Sequence, residues 1–322
     1  MELICPAGTL AAFRDAVDAG ADAVYCGFRD ETNARNFPGL NLTRDELGAA
    51  IAYARPRGVR TLVAINTFMR QGNERLWTSA VDDAASLGAD ALILADIGLL
   101  GYAAERWPEK RRHLSVQAGA ANSDSIAFYV EAFGVKRVVL PRVLSIAEVA
   151  ALTRAVSCET EVFVFGGLCV MEEGRCSLSS YATGRSPNMH GVCSPASHVR
   201  YHEDRGETVS ELGAFTINRF PAGEPAGYPT ICKGRFAVNG EPGYLFEDPV
   251  SLDVTQHLGE LAAAGVSALK IEGRQRGRAY VAKVVVEFRR ALDGVATADA
   301  ADLSTMSEGL RTTAGPYNKG WR

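Results

Sequence analysis

The chain has 322 residues, 47% hydrophobic and 22% charged, with a formal net charge of -4 at pH 7. This composition excludes a disordered or fibrous chain and suits one substantial α/β core. The acidic balance argues against broad phosphate-driven nucleic-acid binding, and no run reaches the roughly 18 apolar residues of a membrane span.

Met1 to Cys5 run directly into an apolar, strand-like segment with no basic flank and no small-residue cleavage site. We therefore expect neither a secretory signal nor a transit peptide, and a cytoplasmic location. Short β-like runs then recur at Glu2 to Cys5, Ala23 to Cys26, Thr61 to Ile65, Ala91 to Ala95, Leu114 to Gln117, Val138 to Leu140, Val162 to Phe165 and Ala268 to Ile271. Helix-period segments separate them. Thr43 followed by Glu46 is a capping-box pattern ahead of Leu47, Ile51 and Ala54 on one face. Similar amphipathic runs occupy Leu76 to Ala85, Ser125 to Ala132 and Ile146 to Val156. The Gly-Ala-Asp steps at Gly20 to Asp22 and Gly88 to Asp90 mark returns from helix to strand, by turn chemistry rather than internal duplication.

Eight parallel strands joined by helical crossovers predict a (β/α)8 TIM-barrel-like α/β fold. An open doubly wound sheet is the alternative, but no glycine-rich dinucleotide fingerprint follows any strand. The predicted organisation is residues 1–165 for the first seven βα units, 166–248 for a Gly-, Ser-, Pro- and Arg-rich insertion, 249–294 for the unit that closes the barrel, and 295–322 for a C-terminal tail with at most a short helix near Leu303 to Leu310. Within the insertion a few short β-like runs are expected, such as Ala214 to Ile217. An insertion of that length must be tied down or functional.

Active sites of such barrels form at the carboxyl ends of the strands. Those ends carry Cys5, Cys26, Asn66, Asp96, Gln117, Arg142, Gly166 leading to Cys169, and Glu272. From this rim and its surroundings, Asn66, Gln117, Arg142, Arg235, Glu272 and Arg274 are the candidate substrate-binding residues. Glu272, between Lys270 and Arg274, is a candidate general base or an ion-pair partner. The catalytic residues themselves are not identified.

Four of the seven cysteines, Cys169, Cys176, Cys193 and Cys232, fall within the insertion. In a reducing compartment clustered cysteines point to metal or redox chemistry before disulfides. Six, sixteen and thirty-eight residues separate consecutive members, so no C-x-x-C knuckle is present, and a four-cysteine zinc clasp and a 4Fe-4S cluster both fit. Cys5, Cys26 and Cys158 are expected to pack as small hydrophobes. Arg175, Arg185, Lys233, Arg235, Lys270, Arg274, Arg276 and Arg278 surround the ligand set in sequence and would offset thiolate charge or hold a carboxylate. His198 and His202 stand four apart without the zinc-protease H-E-x-x-H pattern and are expected at the surface. No G-x-S-x-G elbow occurs, and the serines from Ser177 to Ser180 lack a base partner.

Several segments together carry a resemblance: Cys5-Pro6-Ala7-Gly8, Gly20 through Tyr25, Asn33-Ala34-Arg35-Asn36-Phe37, Gly174-Arg175-Cys176 with Ser179-Ser180-Tyr181, Cys193-Ser194-Pro195, Cys232-Lys233-Gly234-Arg235, Lys270 through Arg274, and the stretch from Thr312-Thr313 to Trp321. The chain resembles the collagenase-like family of unassigned peptidases, and within it most closely the ubiquinone-biosynthesis branch. The resemblance implies a 4Fe-4S cluster on Cys169, Cys176, Cys193 and Cys232. It also implies a heterodimer with a UbiV-like sister protein, and oxygen-independent hydroxylation of a quinone ring precursor with prephenate as proposed oxygen donor. Other relatives hydroxylate transfer or ribosomal RNA, which makes RNA nucleoside hydroxylation the enzymatic alternative. A cluster-bearing electron-transfer or scaffold subunit is the third reading. The family's peptidase label finds no supporting nucleophile or metal motif in the chain.

Overall fold

The computed structural model describes residues 1–190, 193–294, 303–307 and 311–318. Seven parallel strands follow one another: β1 Glu2–Pro6, β2 Ala23–Gly27, β3 Arg60–Ile65, β4 Ala91–Leu94, β5 Arg111–Leu114, β6 Arg137–Val139 and β7 Glu159–Gly167. Between them run α1 Leu10–Asp18, α2 Arg44–Ala54, α3 Glu74–Leu87, α4 Ile97–Arg106, α5 Ser123–Phe133 and α6 Ile146–Ala155. After β7 come α7 Leu178–Thr183, α8 Pro187–His190, β8 Val199–Asp204, β9 Glu207–Leu212, β10 Phe215–Phe220, β11 Arg235–Val238, β12 Glu241–Tyr244 and β13 Ser251–Asp253. The chain then returns through α9 Leu258–Ala263 to β14 Ala268–Ile271 and α10 Arg278–Leu292, with β15 at Thr312–Thr313. β14 pairs in parallel with both β7 and β1, which closes an eight-stranded barrel.

The barrel has two cores because strand side chains alternate faces. Outward residues such as Leu3, Val24, Val63 and Leu92 pack against the buried stripes of the helices, including Phe13, Trp77 and Phe288. A small inner cluster, including Ile4, Tyr25, Leu62 and Ile93, fills one side of the lumen. The other side is ionic. Glu161 is fully buried and pairs with Arg137 at 3.2 Å and Lys270 at 2.6 Å. Arg137 extends the network to Glu2 and Glu159 at the amino ends of the strands. Burial pushes the Lys270 ammonium below the ordinary lysine range, against the pull of Glu161.

Local chemistry explains most element boundaries. Thr43 and Glu46 form the expected capping box, and Leu47, Ile51 and Ala54 are buried. Both Gly-Ala-Asp steps do the same work: Gly20 and Gly88 take positive φ of 104° and 93°. Asp22 then accepts from the Leu3 N–H, and Asp90 from the Thr61 N–H, at 2.7 Å each. Each carboxylate clips the start of a strand to the strand before it.

Two expectations need correction. The fifth strand lies at Arg111–Leu114, three residues earlier than expected, and Val116–Ala118 forms a 3-10 turn. The apolar pattern misplaced it because the strand is built from Arg111, Arg112 and His113. Arg112 spends its charge on the carbonyls of Phe133, Trp107 and Lys110, and His113 is buried in the lumen. Second, the few short β-like runs expected in the insertion, such as Ala214 to Ile217, are parts of two ordered sheets. The insertion contains the three-stranded antiparallel sheet β10-β9-β8 and the β11-β12 hairpin. Register slips at the bulge between Thr216 and Asn218, which breaks the period-2 pattern there.

β13 pairs antiparallel with the end of β7, setting Ser251, Leu252 and Asp253 opposite Gly167, Gly166 and Phe165, and β15 pairs with β13. Tyr317 donates its hydroxyl to the Phe163 carbonyl at 2.7 Å, beside the irregularity in the β7–β14 register. Of the expected tail helix, a 3-10 turn spans Leu303–Met306 and the remainder lies outside the described residues. No helix among the described residues is long and apolar enough to cross a membrane.

Removing the Glu161 carboxylate would leave the buried Lys270 ammonium without its counter-charge, while Arg137 keeps Glu2 and Glu159. Glu161→Ala is expected to cost about 3 kcal/mol or more of unfolding free energy, measured by urea denaturation.

Candidate active site

The carboxyl ends of the strands surround a cleft lined by Asn66, Gln117, Arg142, Glu272 and Arg274, five of the six expected substrate-binding residues. The sixth, Arg235, is elsewhere. It sits on β11, forks to Glu224 at 2.8 Å and lies between the rings of Phe220 and Tyr244. The wider basic face also disperses. Lys233 is buried and donates to the Val250 carbonyl, Lys270 is committed to Glu161, and Arg278 binds Asp15 on the outer surface. Sequence proximity to the cysteines was a poor guide because side chains around one strand end point in different directions. Asp96 is likewise structural: it caps α4 by accepting from the Leu99 N–H.

Arg35, Tyr25 and Glu173 join the cleft unanticipated. Arg35 belongs to the Asn33 to Phe37 segment, which no strand-end argument reaches because it lies in the loop after β2. That loop is pinned by Asn66, which accepts from the Ala34 N–H at 2.9 Å and donates to Ser115 at 3.0 Å. Arg274 donates to Asn33 at 3.1 Å and also approaches the Tyr25 ring. Burial pulls the Arg274 guanidinium down to about 10, against the opposing pull of Tyr25 and Glu272.

Glu272 is the acidic centre of this cationic cleft. It accepts from the Gly167 N–H at 3.2 Å and from Arg35 at 3.5 Å. Burial would raise its carboxyl, but Arg35, Arg142 and the Gly167 amide together outweigh burial and hold it below the ordinary glutamate value. An ionised carboxylate so placed can accept a proton or orient a donor. Arg142 pairs with Glu173 and lies 3.5 Å from the centre of the Phe163 ring. Its Nε and the Gln117 Oε1 are buried without hydrogen-bond partners. A donor and an acceptor are thereby left available to a ligand in the cleft.

Close backbone contacts explain the glycines of the quoted motifs. A Cβ on Gly8 would lie 1.8 Å from the Arg274 carbonyl oxygen, and one on Gly174 would lie 2.0 Å from that of Gln117. Gly174 also has a φ of 85°. These contacts lock the first strand end to Arg274 and the cysteine loop to Gln117.

All four candidate ligand cysteines are half-buried thiols, whereas Cys5 and Cys26 are buried and Cys158 is half-buried at a helix–strand junction. Cys193 lies within electrostatic reach of both Cys169 and Cys176, and Arg35 is within reach of Cys193 and Cys169. Burial pushes the Cys169 thiol up to about 12. Cys232 sits in the 3-10 turn Ile231–Lys233, which packs against α7, the helix that follows Cys176. Among the described residues no three His, Cys, Asp or Glu side chains are close enough to share one metal ion. His202 is exposed and His198 half-exposed on the insertion.

Because the native Glu272 carboxyl lies below its unfolded value of about 4.3, its stabilising contribution is complete above that value and lost as pH falls through the native one. Glu272→Gln is expected to cost on the order of 2 kcal/mol near pH 7. The gap between wild type and variant should close as denaturation is repeated toward pH 3. A gap independent of pH would remove the ionised role.

The family model described as Peptidase family U32 matches residues 8–321. The tRNA hydroxylation protein P of Escherichia coli (strain K12) is 32% identical over 336 residues, covering 96% of this chain and 72% of that protein. The 23S rRNA 5-hydroxycytidine C2501 synthase of the same organism is 29% identical over 317 residues, covering 96% of this chain but 42% of that protein. The collagenase of Porphyromonas gingivalis is 26% identical over 333 residues, covering 99% of this chain and 72% of that protein. These relatives bear out the collagenase-like family expectation and not its narrower ubiquinone-biosynthesis form. The chain belongs to peptidase family U32.

Proposed function

We propose that this chain is the iron–sulfur component of an RNA nucleoside hydroxylase. The observation that carries this reading is the 32% identity to a tRNA hydroxylation protein across 96% of the chain. The cleft supports it chemically. Arg35, Arg142 and Arg274 suit an anionic co-substrate, and Glu272 is ionised and placed to orient or deprotonate a group brought to the mouth.

Cys169, Cys176, Cys193 and Cys232 would hold a 4Fe-4S cluster. The donor set is four half-buried thiols on the insertion, with Cys193 within electrostatic reach of Cys169 and Cys176. A 4Fe-4S cluster takes four cysteine thiolates as its ligands. Such a cluster, fully ligated by cysteine, supplies electron transfer when bound. The chain's own residues do the rest. Arg142 and Gln117 offer an unpaired donor and acceptor to the substrate, Arg35 links the cysteine side of the mouth to Glu272, and Phe163 and Tyr25 form apolar walls that exclude water.

Hydroxylation of a quinone ring precursor, with prephenate as oxygen donor and a UbiV-like partner, is the second reading. The chain's net charge of -4 favours it, since RNA binding usually leaves a basic footprint. One experiment separates the two. Deleting the gene should abolish a hydroxylated nucleoside in digests of transfer or ribosomal RNA analysed by mass spectrometry. Unchanged RNA with an accumulated, under-hydroxylated quinone precursor in oxygen-free growth would move the assignment to the second reading.

Replacing any one of the four cysteines by serine should remove most iron and acid-labile sulfide from anaerobically purified protein, while Cys5→Ser or Cys158→Ser leaves both in place. Stoichiometric zinc with no iron in the wild type would overturn the cluster.

A further inference from the structure

The segment from Leu168 to Ser177 joins β7 to α7 and carries Cys169 and Cys176, and it forms neither helix nor strand. A tight turn closes in its middle, where the Arg175 N–H donates to the Glu172 carbonyl at 3.2 Å. Three consecutive residues of that turn seat it on the barrel. Glu173, only 5% exposed, accepts from the Arg142 guanidinium and, at 3.4 Å, from the Arg142 backbone N–H. Gly174 presses on the Gln117 carbonyl, and Arg175 donates to the Gly119 carbonyl at 3.4 Å while pairing with Glu172.

The turn therefore meets two residues that line the cleft, and these are the two whose Nε and Oε1 are buried without partners, Arg142 and Gln117. Glu173 decides which part of Arg142 is spent. With Nη1 on the carboxylate and Cζ 3.5 Å from the centre of the Phe163 ring, Nε stays free for a ligand. Six residues separate Cys169 from Cys176, and the turn occupies the end of that span. Fixing both cysteines on one rigid group closes this loop and removes much of its conformational freedom.

We propose that Glu173 is a positioning residue that couples the cysteine segment to the cleft. Ligation of Cys169 and Cys176 holds the 172–175 turn on the barrel, and Glu173 thereby fixes Arg142 for an anionic ligand. This inference rests on the iron–sulfur reading above and supplies the means by which the cleft registers an installed cluster. The coupling is reciprocal: a ligand that steadies Arg142 against Glu173 also steadies the loop between the two cysteines.

The test is hydrogen exchange, read by mass spectrometry, on the full chain purified anaerobically, with its cluster and after the iron is stripped by oxidation and chelation. The Arg142 amide is a direct reporter, since its acceptor is the Glu173 carboxylate. Its peptide should exchange about tenfold more slowly in the loaded chain, and the peptide spanning Gln117 to Gly119 should slow with it, while peptides of α2 stay unchanged. Glu173→Gln should hold as much iron and sulfide as wild type yet lose most of the difference at Arg142. Arg175→Ala, at a side chain 69% exposed, should lose it at Gly119 and keep it at Arg142. Equal exchange in loaded and stripped wild type, as expected of a Glu173 that only packs, would overturn the coupling. So would a slowing spread evenly over the barrel, or a Glu173→Gln chain with the difference intact. The wild-type comparison decides even where Glu173→Gln fails to fold. Those results leave the iron–sulfur reading standing, whereas wild type purified without iron would defeat that reading and this inference with it.

Discussion

Glu161 is the constraint on which the barrel depends. A carboxylate with no access to water is tolerable only with counter-charges in place, and here Arg137 on β6 and Lys270 on β14 supply them from either side. The pairing bridges the closing seam, because β14 must lie beside β7 for Lys270 to reach Glu161. Lys270 also stands 3.8 Å from the centre of the Tyr25 ring, so the ionic side of the lumen continues upward into a wall of the cleft. Barrel closure and cleft geometry are therefore coupled through one buried network.

Above that network, the mouth is shaped by backbone contacts as much as by side chains. Gly8 against Arg274, Gly166 against Glu272 and Gly174 against Gln117 are approaches that no Cβ would permit. Each brings a different segment onto the rim: the loop after β1, the end of β7 and the cysteine loop. The candidate residues Gln117, Glu272 and Arg274 are thus held by their own main chain. Arg35 is held differently, through Asn66 and Asn33, whose amides stitch the loop after β2 to neighbouring strand ends.

The cleft and the insertion meet at the loop after β2. Arg35 lies within electrostatic reach of Cys193, Glu272 and Cys169, and two residues further along the same loop Phe37 meets Tyr228 of the insertion edge to face.

Alternation of strand and helix periods was legible in the sequence because each element buries one face, and burial writes a periodicity into the chain. That sufficed for the closed barrel, for the capping box at Thr43 and for five of the six rim residues. It failed at the fifth strand, where Arg111, Arg112 and His113 satisfy their charge through contacts that periodicity does not encode. It failed again at Arg235 and Arg35, whose places depend on which way a loop or hairpin turns in space. Local patterns and residue types were thus enough for the family and the barrel. That Arg35 faces Glu272, that Lys270 is spent inside the lumen and that Phe37 meets Tyr228 emerged only on folding, because each depends on contacts between segments far apart in the chain.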